Sequence, residues 1–120
     1  MMGIATPAYG QSLASGSWSS HTLGIRPDGT VAAWGYDYHG QVSGANSVSG
    51  ATAVAAGGSH SLALRADGTI VAWGDDSEGQ VSGPGSVNNA IAISAGSSFS
   101  MALLSDGTVS AWGSYGLPGL

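Results

Sequence analysis

The chain has 120 residues with 21 Gly, no Cys, no Lys and two Arg (Arg26 and Arg65) against seven carboxylates, for a formal charge of −5. The missing cysteines exclude disulfides, thiol chemistry and Cys-based zinc sites, and the lack of a basic cluster argues against nucleic acid or an anionic membrane as partner. Many glycines with few charges disfavour long surface helices and suit short strands and tight turns, while 42% hydrophobic residues, regularly placed, exclude a disordered chain.

Residues 1–10 precede the first complete unit. They lack both the basic start and the long apolar core of a signal peptide, and no apolar run of the chain approaches the roughly 20 residues of a membrane span. The reading is a soluble chain whose compartment stays open. From residue 11 onward one unit recurs. Asp-Gly stands at 28–29, 67–68 and 106–107, and Trp-Gly at 34–35, 73–74 and 112–113, each at steps of 39. His21, His60 and Phe99 keep the interval, as do Leu23, Leu62 and Met101, while Gly-Gln appears at 40–41 and 79–80. The repeats span 11–49, 50–88 and 89–120, the last incomplete.

Each unit opens with a short strand ending in small residues (Leu13 to Gly16, Val54 to Gly57, Ile93 to Gly96). A second strand follows, as in His60 to Leu64, then a turn at Ala66-Asp67-Gly68, where glycine supplies positive φ. The third strand is Thr69 to Gly74. After a variable loop and Gly79-Gln80, a fourth, weaker strand is expected at the outer edge. Alternation puts Leu62 and Leu64 on one face of the second strand and Ser61 and Ala63 on the other; Ile70 and Ala72 oppose Val71 and Trp73 in the third. A sheet apolar on both faces must be covered on both, which blades stacked around an axis achieve. An irregular β-sandwich and a solenoid are the weaker alternatives. The fold class is all-β: a partial β-propeller of three four-stranded blades.

The run from His60 to Gln80, HSLALRADGTIVAWGDDSEGQ, resembles the repeat of the regulator-of-chromosome-condensation propellers, in the style of their bacterial members, which include propeller-type β-lactamase inhibitor proteins. The copies HTLGIRPDGTVAAWGYDYHGQ and FSMALLSDGTVSAWGSYG fit less fully. The resemblance implies a propeller, normally seven blades from one chain, in a family of nucleotide-exchange factors, protein inhibitors and interaction scaffolds. This sequence carries three repeats and no basic cluster, so roles that need a complete single-chain ring, or nucleosome binding, do not transfer.

A ring needs roughly four to eight blades. Three leave two bare apolar faces, so homo-oligomerisation is expected, with a six-bladed dimer favoured. Residues 1–10 are a candidate closing strand, adding an outer strand to a third-repeat blade in trans. Between Gly16 and His21 the first repeat is two residues longer than the others, and Trp18 in that insertion reads as a bulge packed on its neighbour rather than a stacking site.

The phased Trp34, Trp73 and Trp112 read as packing between blades rather than sugar platforms. His21 and His60 read as structural, because Phe99 fills their place in the third repeat. Ser61 and Asp67 recur with the scaffold, so no Ser-His-Asp triad is expected, and neither is catalysis or any cofactor. No phosphate-cradling loop is present. The candidate binding residues lie in the loops between Trp-Gly and Gly-Gln: Tyr36, Asp37, Tyr38 and His39 in the first repeat, Asp75, Asp76, Ser77 and Glu78 in the second, and Tyr115 in the third. Aromatic and acidic side chains on one rim suit recognition of a protein or glycan; plain solvated loops are the competing reading. A calcium site at Asp75, Asp76 and Glu78 is a weaker option, since the spacing departs from the EF-hand loop. The sequence therefore points to a non-enzymatic interaction module. A self-assembling structural fragment or a carbohydrate-binding ring are the alternatives.

Overall fold

A computed structural model describes residues 3–4, 13–15, 21–83 and 87–114. Ten strands among these residues form three antiparallel sheets. The first orders β1 (Gly3–Ile4), β2 (Leu13–Ser15), β3 (His21–Ile25) and β4 (Val31–Gly35) side by side; the second β5 (Ala51–Ala56), β6 (His60–Arg65) and β7 (Ile70–Gly74); the third β8 (Ala90–Ala95), β9 (Phe99–Leu104) and β10 (Val109–Gly113). Each of the three repeats is thus one meandering blade, as its strand periodicity demands.

The hairpins follow from Asp-Gly-Thr. Gly29, Gly68 and Gly107 adopt φ of +85°, +85° and +89°, a region costly for any residue with a Cβ. In each turn the preceding aspartate takes two hydrogen bonds through Oδ1, from the amide and the hydroxyl of the following threonine; for Asp67 these come from Thr69 at 3.0 and 2.6 Å. The Thr69 hydroxyl, followed by its amide, holds the Asp67 carboxyl below its ordinary range, and the same pair acts on Asp28 and Asp106.

Side-chain alternation sorts the blade faces. Leu23, Ile25 and Val31 of blade 1 bury against Val54, Ala63 and Trp73 of blade 2, while Leu62 and Leu64 of blade 2 bury against Ala90, Ala102 and Trp112 of blade 3. Each blade therefore turns its leucines toward the next blade and its tryptophan toward the previous one. The apolar core is this pair of inter-blade layers rather than one central cluster.

The expected fourth strand is replaced. After Gly40-Gln41 the chain winds into a 3-10 turn at Ser43–Ser47, and after Gly79-Gln80 it turns over 81–83, so among the described residues neither segment adds a fourth strand to its own blade. The cause is local. Asp37 Oδ1 accepts from the amides of Val42 (2.8 Å) and Ser43 (2.9 Å), and Asp76 Oδ1 from those of Val81 and Ser82 (both 2.8 Å), which winds the backbone inward. Gly44 and Gly83 then lie flat on the next blade's indole: a Cβ at Gly44 would meet Trp73 Cδ1 at 2.5 Å. The segment is thereby bound to the following blade and adds no strand to its own. Gly3–Ile4, from the segment expected to close a blade in trans, pairs with β2 of its own chain, with Gly3 opposite Ser15 and Ile4 opposite Ala14. The rest of residues 1–10 and the insertion with Trp18 lie outside the described residues.

Candidate functional site

Between blades the repeated polar residues form the same hydrogen-bond network at each of two joints. The Gln41 carbonyl accepts from Trp73 Nε1 (2.9 Å) and from Ser61 Oγ (3.0 Å). With its hydrogen so committed, Ser61 Oγ must accept from His21 Nε2 at 2.9 Å, which fixes the Nε2–H form of that ring. One repeat later the Gln80 carbonyl accepts from Trp112 Nε1 (2.8 Å) and Ser100 Oγ (2.9 Å), and Ser100 accepts from His60 Nε2 (2.9 Å). His60, Ser61 and Ser100 are fully buried. Burial pulls the His60 imidazole down to about 4, against an opposing hydrogen bond with the Phe99 backbone, and burial also lowers His21. A neutral imidazole beside a buried serine whose hydrogen goes to a carbonyl joins blades and offers no attacking oxygen.

Gln41 and Gln80 are the residues that spacing alone underrates. Both are buried, their side chains reach back, and Oε1 accepts from the His39 and Glu78 amides, each at 2.8 Å. The signal was in the sequence: GQVSG stands unchanged at 40–44 and 79–83.

The variable loops of blades 1 and 2 come together on one rim. Tyr36 and Tyr38 stack with ring centroids 6.1 Å apart and planes at 17°, and His39 meets Tyr38 edge-on at 4.9 Å. Tyr36 is 53% and Tyr38 76% exposed. His39 Nδ1 stands 4.0 Å from Asp75 Oδ1, so the aromatic loop of blade 1 touches the acidic loop of blade 2. The Asp75 carboxylate accepts from the Ser77 amide (3.1 Å) and hydroxyl (3.0 Å), and Glu78 projects to solvent.

Asp37 and Asp76 belong to the same loops but hold the turn beneath them. The Ser43 amide, then that of Val42, lowers the Asp37 carboxyl; Ser82 and Val81 do the same for Asp76. With these carboxylates aimed at backbone amides, no group of three or more metal-ligating side chains assembles among the described residues. Tyr115 lies outside the described residues.

One difference between the loops has a structural consequence. Gln80 Nε2 donates to Asp75 Oδ2 at 3.4 Å, but the position equivalent to Asp75 in the first repeat is Tyr36, and the buried Gln41 Nε2 has no partner among the described residues. A buried, unpartnered amide donor costs about 1–3 kcal/mol. An aspartate in place of Tyr36 would offer that amide an acceptor, as Asp75 does for Gln80.

Among curated proteins none matches the chain. Residues 51–80 and 90–114 match the regulator of chromosome condensation (RCC1) repeat. In solved structures the fold is similar to Prp20p of Saccharomyces cerevisiae, at a TM-score of 0.71 and 23% identity over 92% of this chain and 32% of that one. It is similar to human WBSCR16 at 0.68 and 22%, over 92% and 33%, and to the ectodomain of the Physcomitrella patens receptor kinase CR4 at 0.61 and 22%, over 93% and 30%. The chain spans about a third of the length of each. The second and third repeats thus match the RCC1 repeat, the first keeps their spacing, and the chain has the fold of an RCC1-like β-propeller.

Proposed function

We propose that the chain is a non-enzymatic protein-binding module whose recognition surface is the rim formed by Tyr36, Tyr38, His39, Asp75 and Glu78, with Asp37, Asp76 and Ser77 shaping the loops. The observation that carries this reading is the exposed tyrosine stack, kept at the expense of a buried amide that an aspartate at position 36 would satisfy. Aromatic faces beside carboxylates favour a cationic peptide segment, through cation–π contact and charge pairing. Prp20p, which this fold resembles, binds Gsp1p and histones and is bound by Kap60, so protein binding is at home on this fold. Self-association is part of the reading: both end faces of the three-blade stack carry apolar side chains open to solvent. That observation also favours the second reading, in which assembly itself is the role.

Fluorescence anisotropy with labelled Arg-rich and Glu-rich peptides tests the rim. The Arg-rich peptide is expected to bind, more weakly as salt rises, and the triple change Tyr38→Ala, Asp75→Asn, Glu78→Gln to lower affinity roughly tenfold or more. Tyr36→Asp is expected to weaken the peptide while raising stability by about 1 kcal/mol in urea denaturation, by giving Gln41 Nε2 an acceptor. Equal binding of both peptides, or binding indifferent to these changes, removes the rim from consideration.

A further inference from the structure

The two rim loops differ at three of their four positions and yet are built on one frame. They read Tyr36-Asp37-Tyr38-His39 and Asp75-Asp76-Ser77-Glu78, and each runs into the same GQVSG. Side chains as unlike as tyrosine and aspartate ordinarily steer a short loop into different shapes. Here the hydrogen bonds that close the loop do not depend on them. Gln41 Oε1 accepts from the His39 amide and Gln80 Oε1 from the Glu78 amide, both at 2.8 Å. Every residue except proline supplies that N–H, so the bond is indifferent to the side chain standing at 39 or 78. The turn bonds from Gly40 to the Asp37 carbonyl (3.1 Å) and from Gly79 to the Asp76 carbonyl (3.0 Å) are also main-chain.

The glutamines are fixed in turn by the following blade. The Gln80 carbonyl is held by Trp112 and Ser100, and Gly113 lies so close that a Cβ there would stand 3.1 Å from Gln80 Cβ. Gln41 is held alike by Trp73 and Ser61, with Gly74 against its Cβ. Both are wholly buried, so neither meets a partner directly. The one loop side chain that does hold the frame, Asp37 or Asp76, is also the one residue the two loops share. The bonds of Asp75 with Ser77 and with Gln80 Nε2 steady the Asp75 carboxylate, but the loop of blade 1 keeps its amide bond with tyrosine in that place.

We propose that Gln41 and Gln80 are positioning residues of the rim. Each is clamped in the joint by the next blade and holds the amide at 39 or 78, giving its loop one backbone shape whatever stands at the first, third and fourth positions. Those positions, Tyr36, Tyr38 and His39 in blade 1 and Asp75, Ser77 and Glu78 in blade 2, then set what the rim selects without altering how it is presented. This rests on the rim reading proposed above and separates the residues that carry its choice from those that carry its shape. A loop ordered before the partner arrives also spares the complex the entropy of ordering it.

Amide hydrogen exchange on the 120-residue chain, read by NMR, tests the frame. Gln80→Met keeps the length of the side chain and removes its polar atoms; it is expected to speed exchange of the Glu78 amide roughly fivefold or more relative to the Leu62 amide of β6. The loop replacement Asp75→Tyr, Ser77→Tyr, Glu78→His, with Gln80 kept, is expected to leave the amide at position 78 within about twofold of the parent chain on that scale. In anisotropy Gln80→Met should lower affinity for the Arg-rich peptide roughly fivefold. Val54→Ala, which trims the layer between blades 1 and 2 and leaves the loops alone, should change it less than about twofold. An unchanged Glu78 amide in Gln80→Met, lost protection at position 78 in the loop replacement, or equal affinity losses in Gln80→Met and Val54→Ala would each overturn the proposal. Should Gln80→Met fail to fold, Gln41→Met read at the His39 amide takes its place. A parent chain that does not bind the peptide removes the rim reading alone, and the exchange measurements then decide the frame without it.

Discussion

Acidification from pH 7 to pH 4 is expected to cost the folded chain about 3 kcal/mol at the joint of blades 2 and 3, well before its carboxylates matter. His60 is buried and neutral, with its titration moved from 6.5 down to about 4. The unfolded chain binds a proton near 6.5 that the folded chain refuses until about 4. Stability is therefore complete above 6.5 and falls throughout that window, by about 1.4 kcal/mol per pH unit at most. His21, lowered for the same reason, adds loss of the same sign. The aspartates act in the same sense but later: their folded carboxyls are also lowered, so their contributions are complete above the ordinary carboxylate range and are lost as the pH falls through it. Urea denaturation at pH 7, 5.5 and 4 reads this directly. His60→Phe should flatten the dependence while preserving the fold, because Phe99 already occupies the equivalent site, with its ring against Gly96 as the His60 ring lies against Gly57, and Ser100 keeps its bond to the Gln80 carbonyl.

Trp73→Ala should cost about 3–5 kcal/mol, the range for an aromatic removed from a core. The indole is 8% exposed, packs in the layer between blades 1 and 2, lies on Gly44 and donates to the Gln41 carbonyl. Trp73→Phe keeps most of the apolar contact and loses that hydrogen bond, so about 1 kcal/mol is expected for the bond itself. The matched control is Trp34→Ala in the monomeric chain, where the indole is 51% exposed; its urea midpoint should correspond to a change within about 0.5 kcal/mol. Equal losses at Trp34 and Trp73 would mean that burial between blades is not what the repeated tryptophans do.

Much of the blade was legible in the sequence. Asp-Gly and Trp-Gly in phase gave the hairpins and third strands, because those residues act within their own blade, and alternation around Leu62 and Trp73 assigned the faces correctly. The fourth strand was misread because its fate is decided by contacts from elsewhere. Asp37 and Asp76 draw the following backbone into a turn, and the next blade's indole lies on Gly44 and Gly83. Gln41 was overlooked since its decisive atom is a main-chain oxygen, which no side-chain pattern advertises. In the loops, Asp37 and Asp76 stand 39 residues apart, and that phase was the clue to their structural duty. Tyr36 and Asp75 occupy equivalent positions with unlike side chains, which is why the rim there differs from blade to blade.

The regular part of this chain thus explains how blades adhere, and the irregular part where a partner would be held. The proposed self-association would add an assembly that covers the apolar outer faces of the first and third blades. Static light scattering on the unmodified chain at pH 7, over a range of concentrations, tests this most directly. The account predicts a single species of about twice the 11.7 kDa chain mass; a species of the chain mass itself, unchanged at every concentration, would contradict it.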